Sequence, residues 1–204
     1  MAMRVAVLLS GSGTTLQNLI DRAEDDSLDI EIVCVIASRD DAYGLERARQ
    51  HGITHSAIPR KDFGNSSEFS DAVWTEIRKH NVGLVVLAGF MSLLSVPKDF
   101  EHKIINIHPA LIPSFSGKGM FGHHVHEAVV EYGVRLTGAT VHFVDELYDN
   151  GPIILQEAVP VFEADTADDV AERVQAKERE IYPRAIQLFA TDRIRLNGRK
   201  VIIT

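Results

Sequence analysis

The chain has 204 residues, and its contents of 45% hydrophobic and 25% charged residues are ordinary for a soluble globular protein. A formal net charge of −8 and the lack of a strongly basic stretch argue against a nucleic-acid partner. No run approaches the ~18 apolar residues of a membrane span, and the apolar run after Arg4 is too short for a signal peptide. The single cysteine allows no internal disulfide, so a cytoplasmic protein is expected.

The first ninety residues alternate short apolar runs with amphipathic, helix-like stretches. Strands are predicted at Val5–Leu9, Ile30–Ala37 and Gly83–Ala88, with a weaker one at Thr54–Ile58. The three longer runs are apolar on both faces, as in a parallel sheet that helices cover on both sides. The alternation predicts an α/β fold with right-handed crossovers, and Cys34 is expected to be a buried, inert thiol.

The second half has a different organisation. Residues Pro109–His126 are rich in Gly, Pro and Ser and are predicted to form one long irregular loop, a length typical of functional lids or disorder. Two strands are predicted at Leu136–Val144 and Ile153–Val159, followed by a long helix over Thr166–Ala190. A terminal hairpin is predicted around Asn197-Gly198. We expect one domain over residues 1–204.

The segment Ile104–Pro109 places an amide and an imidazole on one face of a strand that then ends. Side chains alternate along a strand, so Asn106 and His108 point the same way. Pro109 cannot donate to a ladder, so the strand is expected to end just past His108. A donor amide beside a titratable ring suits a reaction that forms an oxyanion. An edge strand with two polar groups facing water is the alternative.

The segment Ser10–Thr15 lies between the first strand and its helix. Its small residues allow backbone N–H groups to converge, and the helix N-terminus adds partial positive charge, which suits a phosphate. The segment lacks the Gly-Lys-Ser/Thr ending of a P-loop, and Leu16 occupies the third glycine position of the dinucleotide fingerprint. A monophosphate is therefore favoured over a dinucleotide, with a tight capped turn as the alternative.

Polar groups in the second half form two further candidates. A loop with three carboxylates, Asp145, Glu146 and Asp149, follows the predicted strand that carries His142, and their spacing does not choose among them. Glu178 falls on the apolar face of the long helix, where a carboxylate is costly unless an internal salt bridge or a ligand compensates it. The nine histidines show no convincing ligand spacing, so no metal site is predicted.

Six segments, in order over nearly the whole chain, resemble the folate-dependent formyltransferases. They are Val7–Thr14, Leu87–Met91, Asn106–Pro113, Thr140–Val144, Asp149–Ile154 and Val174–Glu178. The Asn-x-His-Pro segment and the later Asp mark the wider family, and the Ser-Gly-Ser-Gly-Thr loop with Gln-x-x-Glu narrows it to enzymes of a ribonucleotide. The resemblance implies the formyltransferase fold: a doubly wound, mostly parallel twisted sheet with a Rossmann-like, phosphate-binding half (1–100) and a mixed folate-binding and catalytic half (101–204).

The resemblance also implies a reaction and its residues. The formyl group of 10-formyltetrahydrofolate, a cosubstrate, would pass to the amine of glycinamide ribonucleotide in purine synthesis. The catalytic residues would be Asn106, His108 and Asp149, with Asp149 keeping His108 protonated. The substrate would contact Gly11, Ser12, Gly13, Thr14, Thr15, Gln175 and Glu178. The folate would contact Phe90, Met91, Ser92, Leu93, Leu94, Val144, Asp145 and Glu146. The Ile112-Pro113 bond would be cis, and a monomer or a homodimer is expected, with small-molecule partners and no membrane.

Departures from the family pattern affect the folate tail and the phosphate loop. Some relatives carry Arg where this chain has Ser67 and Ser92, both where the glutamate tail of the folate is expected, and Thr15 stands where Asn is common.

Two other functions remain open. A formyltetrahydrofolate hydrolase would use the same catalytic residues on water, and a non-catalytic nucleotide-binding module would explain the phosphate loop alone.

Overall fold

A computed structural model describes residues 2–204. The strands are β1 (Met3–Leu9), β2 (Ile30–Ala37), β3 (His55–Ala57), β4 (Leu84–Leu87), β5 (Ile104–His108), β6 (Leu136–Phe143), β7 (Ile153–Pro160), β8 (Ile194–Asn197) and β9 (Lys200–Ile203). The α-helices are α1 (Thr14–Glu24), α2 (Tyr43–Gln50), α3 (Ser66–Arg78), α4 (His123–Tyr132) and α5 (Ala167–Ala190). Seven strands form one mixed sheet in the order β3-β2-β1-β4-β5-β6-β7, and β8 pairs with β9 in a hairpin. The α/β class predicted from the sequence is confirmed.

The chain divides into two compact units. The N-terminal unit ends at Ile105, and the C-terminal unit comprises Asn106–Thr204. In the N-terminal unit, β1 pairs in parallel with both β2 and β4, and β2 pairs in parallel with β3. Residues 5–9 of β1 are fully buried, as expected for a strand covered on both faces. Cys34 in β2 is buried too, and desolvation raises the pKa of its thiol to about 12, so it is an inert thiol as predicted.

The single tryptophan belongs to the core of the N-terminal unit. Trp74 of α3 is 2% exposed and stacks on Phe100, with ring centroids 5.0 Å apart. Its indole N–H donates to the Ser95 carbonyl at 2.8 Å, which satisfies its one polar group. This tryptophan therefore packs α3 against the residues that follow β4.

In the C-terminal unit, β6 and β7 form an antiparallel pair. Its register runs from Leu136↔Pro160 to His142↔Ile153. Helix α5 begins at a capping box, in which the Thr166 side chain accepts from the Asp169 N–H and Asp169 reaches back to the Thr166 backbone. These elements and the terminal hairpin were predicted to within one or two residues, because each carries a clear local pattern.

The long loop predicted over Pro109–His126 is wrong at its end, since α4 begins at His123. The sequence pattern also missed the helical character of the residues up to Tyr132. Val125, His126 and Val129 form the buried face of α4, but a glycine-rich and histidine-rich segment hides this short stripe. The irregular segment, called the lid segment below, is therefore 109–122. Its Ile112-Pro113 bond is cis, as the resemblance implied.

Gly138 in β6 provides a test of this packing. A Cβ at this position would lie 2.0 Å from the Glu157 carbonyl oxygen of β7. We therefore expect Gly138→Ala to lower the free energy of unfolding by about 1–3 kcal/mol, as overpacking does. The measurement is urea denaturation followed by far-UV circular dichroism.

Gly64→Ala is the matched control, because the nearest atom to its added Cβ is 3.7 Å away. Its effect should stay within about 0.5 kcal/mol, as for an ordinary surface substitution. Equal unfolding midpoints for the two variants would contradict the close approach of β6 and β7 at Gly138.

Candidate active site

The carboxyl end of β5 presents Asn106 and His108 on one face. The strand ends at His108, as Pro109 predicted, and His108 is only 3% exposed. The residues that follow are tied to β6, because the Thr140 hydroxyl donates to the Ala110 carbonyl at 2.7 Å and accepts the Ile112 N–H at 3.1 Å. The side chains of Asn106 and His108 therefore project from a strand end whose following residues are fixed by hydrogen bonds to Thr140.

The His108 ring lies between two oxygen atoms. Its Nε2 is 2.8 Å from the Phe115 carbonyl oxygen, and its Nδ1 is 3.4 Å from Oδ2 of Asp149. A neutral imidazole has one N–H, so either tautomer leaves a lone pair facing an oxygen, and only the imidazolium ion satisfies both.

Burial acts against the charged form of His108. Desolvation lowers the pKa of His108 below its usual value of 6.5, although Asp149 and the Phe115 carbonyl both act to raise it. Asp149 therefore favours the protonated ring, and its role in keeping His108 protonated stays a prediction. The two oxygen neighbours prepare the ring to accept a proton.

Asp149 is the carboxylate that the structure places beside the histidines. Burial acts to raise its pKa, but His142, His108 and the Gly117 N–H, which donates to Oδ2 at 2.9 Å, outweigh it and hold the pKa below its usual value. Oδ1 lies 3.7 Å from Nε2 of His142. The Asp149 carboxylate is thus ionised. The backbone of Asp149 is left-handed, with φ of 50°, which points to a conformation imposed by its surroundings.

Asp145 has a structural part in the same loop. Its carboxylate accepts the Leu147 N–H at 2.9 Å and the Asn150 side-chain amide at 2.7 Å. Arg199, in the turn between β8 and β9, donates to the Asn150 carbonyl from the other side. A Cβ at Gly151 would lie 1.8 Å from the Phe143 carbonyl oxygen, so only glycine allows the loop to return against β6. These contacts hold the backbone on both sides of Asp149.

Asn106 is oriented by His142. The Asn106 amide nitrogen is 3.2 Å from Nε2 of His142, and Nδ1 of His142 is 2.8 Å from the Phe143 carbonyl oxygen. The contact with Nε2 engages one N–H of the Asn106 amide and leaves its second N–H for a ligand. The sequence associated His142 with Asp149 and missed this contact with Asn106.

The glycine-rich loop lies in the N-terminal unit, just before α1. Gly13 has φ of 72°, and a Cβ there would lie 2.6 Å from the Gly44 Cα, so close packing requires glycine. Arg47 of α2 donates from Nε to the Ser12 carbonyl at 2.9 Å. This cation carries no signal in the sequence near the loop, and it adds positive charge beside the N–H groups that α1 leaves unpaired at its start.

The first segment assigned to the folate follows β4 in the same unit. The Met91 N–H donates to Oγ of Ser10 at 2.9 Å, and this oxygen lies 2.6 Å from Oγ of the buried Ser38. Phe90 stacks on Phe69 of α3, with ring centroids 6.2 Å apart. The backbone is therefore anchored while the Met91 side chain stays 56% exposed.

The remaining candidates lie in the C-terminal unit. Residues 144–146 follow β6, with Val144 and Asp145 half-buried and Glu146 exposed. On α5, Gln175 is exposed and Glu178, one turn later, is half-buried. Among residues 2–204 no ion pair to the Glu178 carboxylate is found, and desolvation, which outweighs the opposing charge of Arg179, raises its pKa to about 7. The internal salt bridge considered for Glu178 is therefore not formed.

The described residues offer neither a metal site nor a membrane-spanning helix. Within residues 2–204, no group of three or more His, Cys, Asp or Glu side chains is placed to hold a metal ion. In the same residues, no helix combines the length and the apolar character needed to cross a membrane.

Comparison with known proteins identifies the family. The model of the formyl transferase family matches residues 3–186. This match covers most of the sequence, so the chain belongs to the formyl transferase family.

Individual relatives narrow the comparison. The chain is 41% identical, over 95% of its length and 90% of the relative's, to phosphoribosylglycinamide formyltransferase of Haemophilus influenzae. It is 43% identical to the trifunctional purine biosynthetic protein adenosine-3 of Gallus gallus, of which it spans only 19%. The crystal structure of glycinamide ribonucleotide transformylase 1 from Symbiobacterium toebii matches with a TM-score of 0.93 and 42% identity, covering 99% of this chain and 94% of that one.

A more distant structure represents the hydrolase alternative. A formyltetrahydrofolate deformylase from Pseudomonas syringae matches with a TM-score of 0.89 and 28% identity, and this chain covers 66% of it. The fold is thus shared with a hydrolase, while the sequence is nearer to the transferases.

The raised pKa of the Glu178 carboxylate provides a test of the site's electrostatics. Its pKa of about 7 in the folded state exceeds the ordinary value of 4.5, so the folded state binds more protons than the unfolded state between these values. The free energy of unfolding therefore falls as pH rises through this window. At pH 8 the Glu178 carboxylate is ionised in the folded state, and its burial destabilises the fold to the full extent. We expect Glu178→Gln to raise Tm at pH 8, with a gain that shrinks towards pH 5.

The measurement is thermal unfolding at both pH values, with Glu172→Gln, at an exposed position of the same helix, as the matched control. The control should show no gain specific to pH 8. A Glu178→Gln gain that is equal at the two pH values would contradict the raised pKa.

Proposed function

We propose that this chain transfers the formyl group of 10-formyltetrahydrofolate to the amine of glycinamide ribonucleotide, the reaction of a phosphoribosylglycinamide formyltransferase in purine biosynthesis. The observation that carries this proposal is the buried His108–Asp149 contact, 3.4 Å long, at the end of the strand that also presents Asn106. The identity of 41% to a named transferase over 95% of the chain supports the same reaction.

Attack of the amine on the formyl carbon develops negative charge on the formyl oxygen. The second N–H of Asn106, whose first N–H goes to His142, is assigned to this oxygen. In comparable sites one such donor contributes roughly 3–4 kcal/mol to stabilisation of the transition state. The residues that form the site supply no covalent step, since the amine attacks the formyl carbon directly.

His108 responds to the developing charge. As the amine attacks, one of its protons passes by way of Asp149 to the His108 ring, and the negative charge of Asp149 stabilises the imidazolium that faces the oxyanion. When the carbon–nitrogen bond to the folate breaks, the same proton returns by way of Asp149 to the departing folate nitrogen, so the residues end in their starting state. Nε2 of His108 faces the Phe115 carbonyl oxygen in this structure, so we expect the lid segment around 115–117 to exchange that contact for the substrate.

Binding is assigned to residues of both units. The backbone of Gly11–Thr15 is proposed to hold the substrate phosphate, supported by the Arg47 guanidinium beside Ser12. Glu178 and Gln175 are proposed for the ribonucleotide, and Phe90–Leu94 with residues 144–146 for the folate. The lid segment is proposed to exclude water, which would otherwise hydrolyse the donor. A cytoplasmic location and a monomer or homodimer stay predictions.

The first test follows folate absorbance as 10-formyltetrahydrofolate is consumed, with and without glycinamide ribonucleotide. We expect consumption to require the ribonucleotide and to be lost in His108→Ala. Equal consumption without the ribonucleotide would make the protein a formyltetrahydrofolate hydrolase, and ribonucleotide binding without turnover would make it a binding module.

The second test concerns the role of Asp149. We expect Asp149→Asn to lower kcat by roughly 10²–10⁴-fold, because an amide can neither relay the proton nor stabilise the imidazolium. The Kd of the ribonucleotide should stay within about twofold, since the lost interaction acts in the transition state.

Steady-state kinetics and equilibrium binding provide the two quantities. Asp168→Asn is the matched control, because that carboxylate lies in the same unit with a side chain 92% exposed. An equal weakening of binding and kcat in Asp149→Asn would refute the catalytic assignment.

A further inference from the structure

Helix α2 holds two successive peptide groups of the glycine-rich loop by their carbonyl oxygens. The Gly44 N–H donates to the Gly11 carbonyl at 3.1 Å, and Arg47 donates from Nε to the Ser12 carbonyl at 2.9 Å. We propose that Arg47 is a positioning residue for the substrate phosphate, because its hold on the Ser12 carbonyl aims the Gly13 N–H at that phosphate. The inference rests on the proposed function, which assigns the phosphate to this loop.

The direction of a backbone N–H group follows from the carbonyl that precedes it. In a planar trans peptide, the C=O of one residue and the N–H of the next point in opposite directions. The Ser12 carbonyl faces α2, so the Gly13 N–H points away from α2, and the Gly11 carbonyl directs the Ser12 N–H to the same side. Successive N–H groups that face one side form a concavity that binds anions.

The N–H groups of Ser12 and Gly13 are available to a ligand. Within residues 2–204, neither of these groups has a hydrogen-bond acceptor. Gly13 is the N-cap residue of α1, and no side chain caps this helix. Unpaired N–H groups at the start of a helix carry partial positive charge, which favours an anion there.

The Arg47 guanidinium is held by three neighbours. Besides its contact with Ser12, its Nη1 donates to Oε1 of Gln17 at 3.1 Å, and its central carbon lies 5.1 Å from the centroid of the Tyr43 ring. Within residues 2–204 no carboxylate forms an ion pair with this guanidinium. Its positive charge is therefore not neutralised by a partner and adds to the attraction for a phosphate.

Gln17 is itself oriented by contacts on α1 and just after α2. Its amide nitrogen donates to Oδ1 of Asp21 at 2.8 Å and lies 3.1 Å from Nε2 of His51. Nδ1 of His51 lies 2.7 Å from Oε1 of Glu24. Because the amide nitrogen of Gln17 is engaged, its amide oxygen faces Arg47, and the guanidinium is fixed in one orientation.

Close packing holds the loop against α2 independently of Arg47. A Cβ at Gly13 would lie 2.6 Å from the Gly44 Cα, so the two backbones are in contact. Loss of the Arg47 donors is therefore expected to leave the loop packed on α2 and to release only the peptide group between Ser12 and Gly13. Such a change weakens phosphate binding without unfolding the unit.

The first experiment compares formyl transfer by Arg47→Met and by the unchanged chain. We expect the KM of glycinamide ribonucleotide to rise about tenfold, the effect of losing a hydrogen bond to a charged group. The kcat and the KM of the formyl donor should stay within about twofold, because the lost interaction concerns the phosphate alone. Arg49→Met is the matched control, since it removes an arginine of the same helix whose side chain is 64% exposed. Equal effects of the two variants would refute a specific role for Arg47.

Two further variants separate the aim of the N–H group from the charge of the guanidinium. Gln17→Met leaves every charge in place but releases one side of Arg47, and it should raise the ribonucleotide KM about threefold. Arg47→Lys keeps the charge and one donor, and it should recover part of the loss seen in Arg47→Met. Full recovery in Arg47→Lys together with an unchanged KM in Gln17→Met would show that charge alone acts, and would refute the positioning role.

Nuclear magnetic resonance observes the amides of the loop directly. Titration with ribose 5-phosphate should move the amide proton resonances of Ser12 and Gly13 downfield, and titration with ribose should not. In Arg47→Met we expect these two shifts to shrink while those of Thr14 and Thr15 persist. An equal loss at all four amides, or no loss at any of them, would overturn the proposal.

The titration needs no turnover, so it separates the positioning role from the proposed function. Shifts of Ser12 and Gly13 that Arg47→Met abolishes, in a protein that fails to transfer formyl groups, would refute the proposed function and leave the positioning role intact. Formyl transfer with an unchanged ribonucleotide KM in Arg47→Met would refute the positioning role alone.

Discussion

A buried imidazole with an oxygen on each side is the constraint on which the C-terminal unit's chemistry depends. Burial lowers the pKa of His108, whereas Asp149 and the Phe115 carbonyl act to raise it. The charge that a substrate develops beside the ring adds to the second influence. Hydrogen-bonding and charged groups that are already in place can stabilise charge that appears only during the reaction. Such a site stabilises the transition state more than the ground state.

The same arrangement costs stability. Desolvation of Glu178 outweighs the attraction of Arg179 and raises its pKa, and Asp149 has a left-handed backbone. The buried residues Val5–Leu9 of β1 and the buried face of α5 offset such costs, because they remove apolar surface from water. Residues that weaken the fold and face a ligand site are more informative about function than residues that strengthen it.

Local patterns predicted most of the fold, whereas contacts across the chain determined the site. Ile30–Ala37 was predicted residue for residue, because a continuous apolar run is visible in one segment. Helix α4 was missed, since glycines and histidines mask its short buried stripe. Spacing could not choose among Asp145, Glu146 and Asp149, because the choice depends on Gly117, 32 residues away. The contact between Arg47 and Ser12 spans 35 residues and has no local signal.

The position of the only tryptophan has a consequence for spectroscopy. Trp74 is buried in the N-terminal unit, so fluorescence excited at the red edge of protein absorption reports the packing of α3 there. Far-UV circular dichroism records the helices and strands of both units. Coincident transitions by the two probes would mean that the units unfold as one cooperative body, and separate transitions that each melts by itself. The chain thus carries an intrinsic, label-free reporter of how its two halves share their stability.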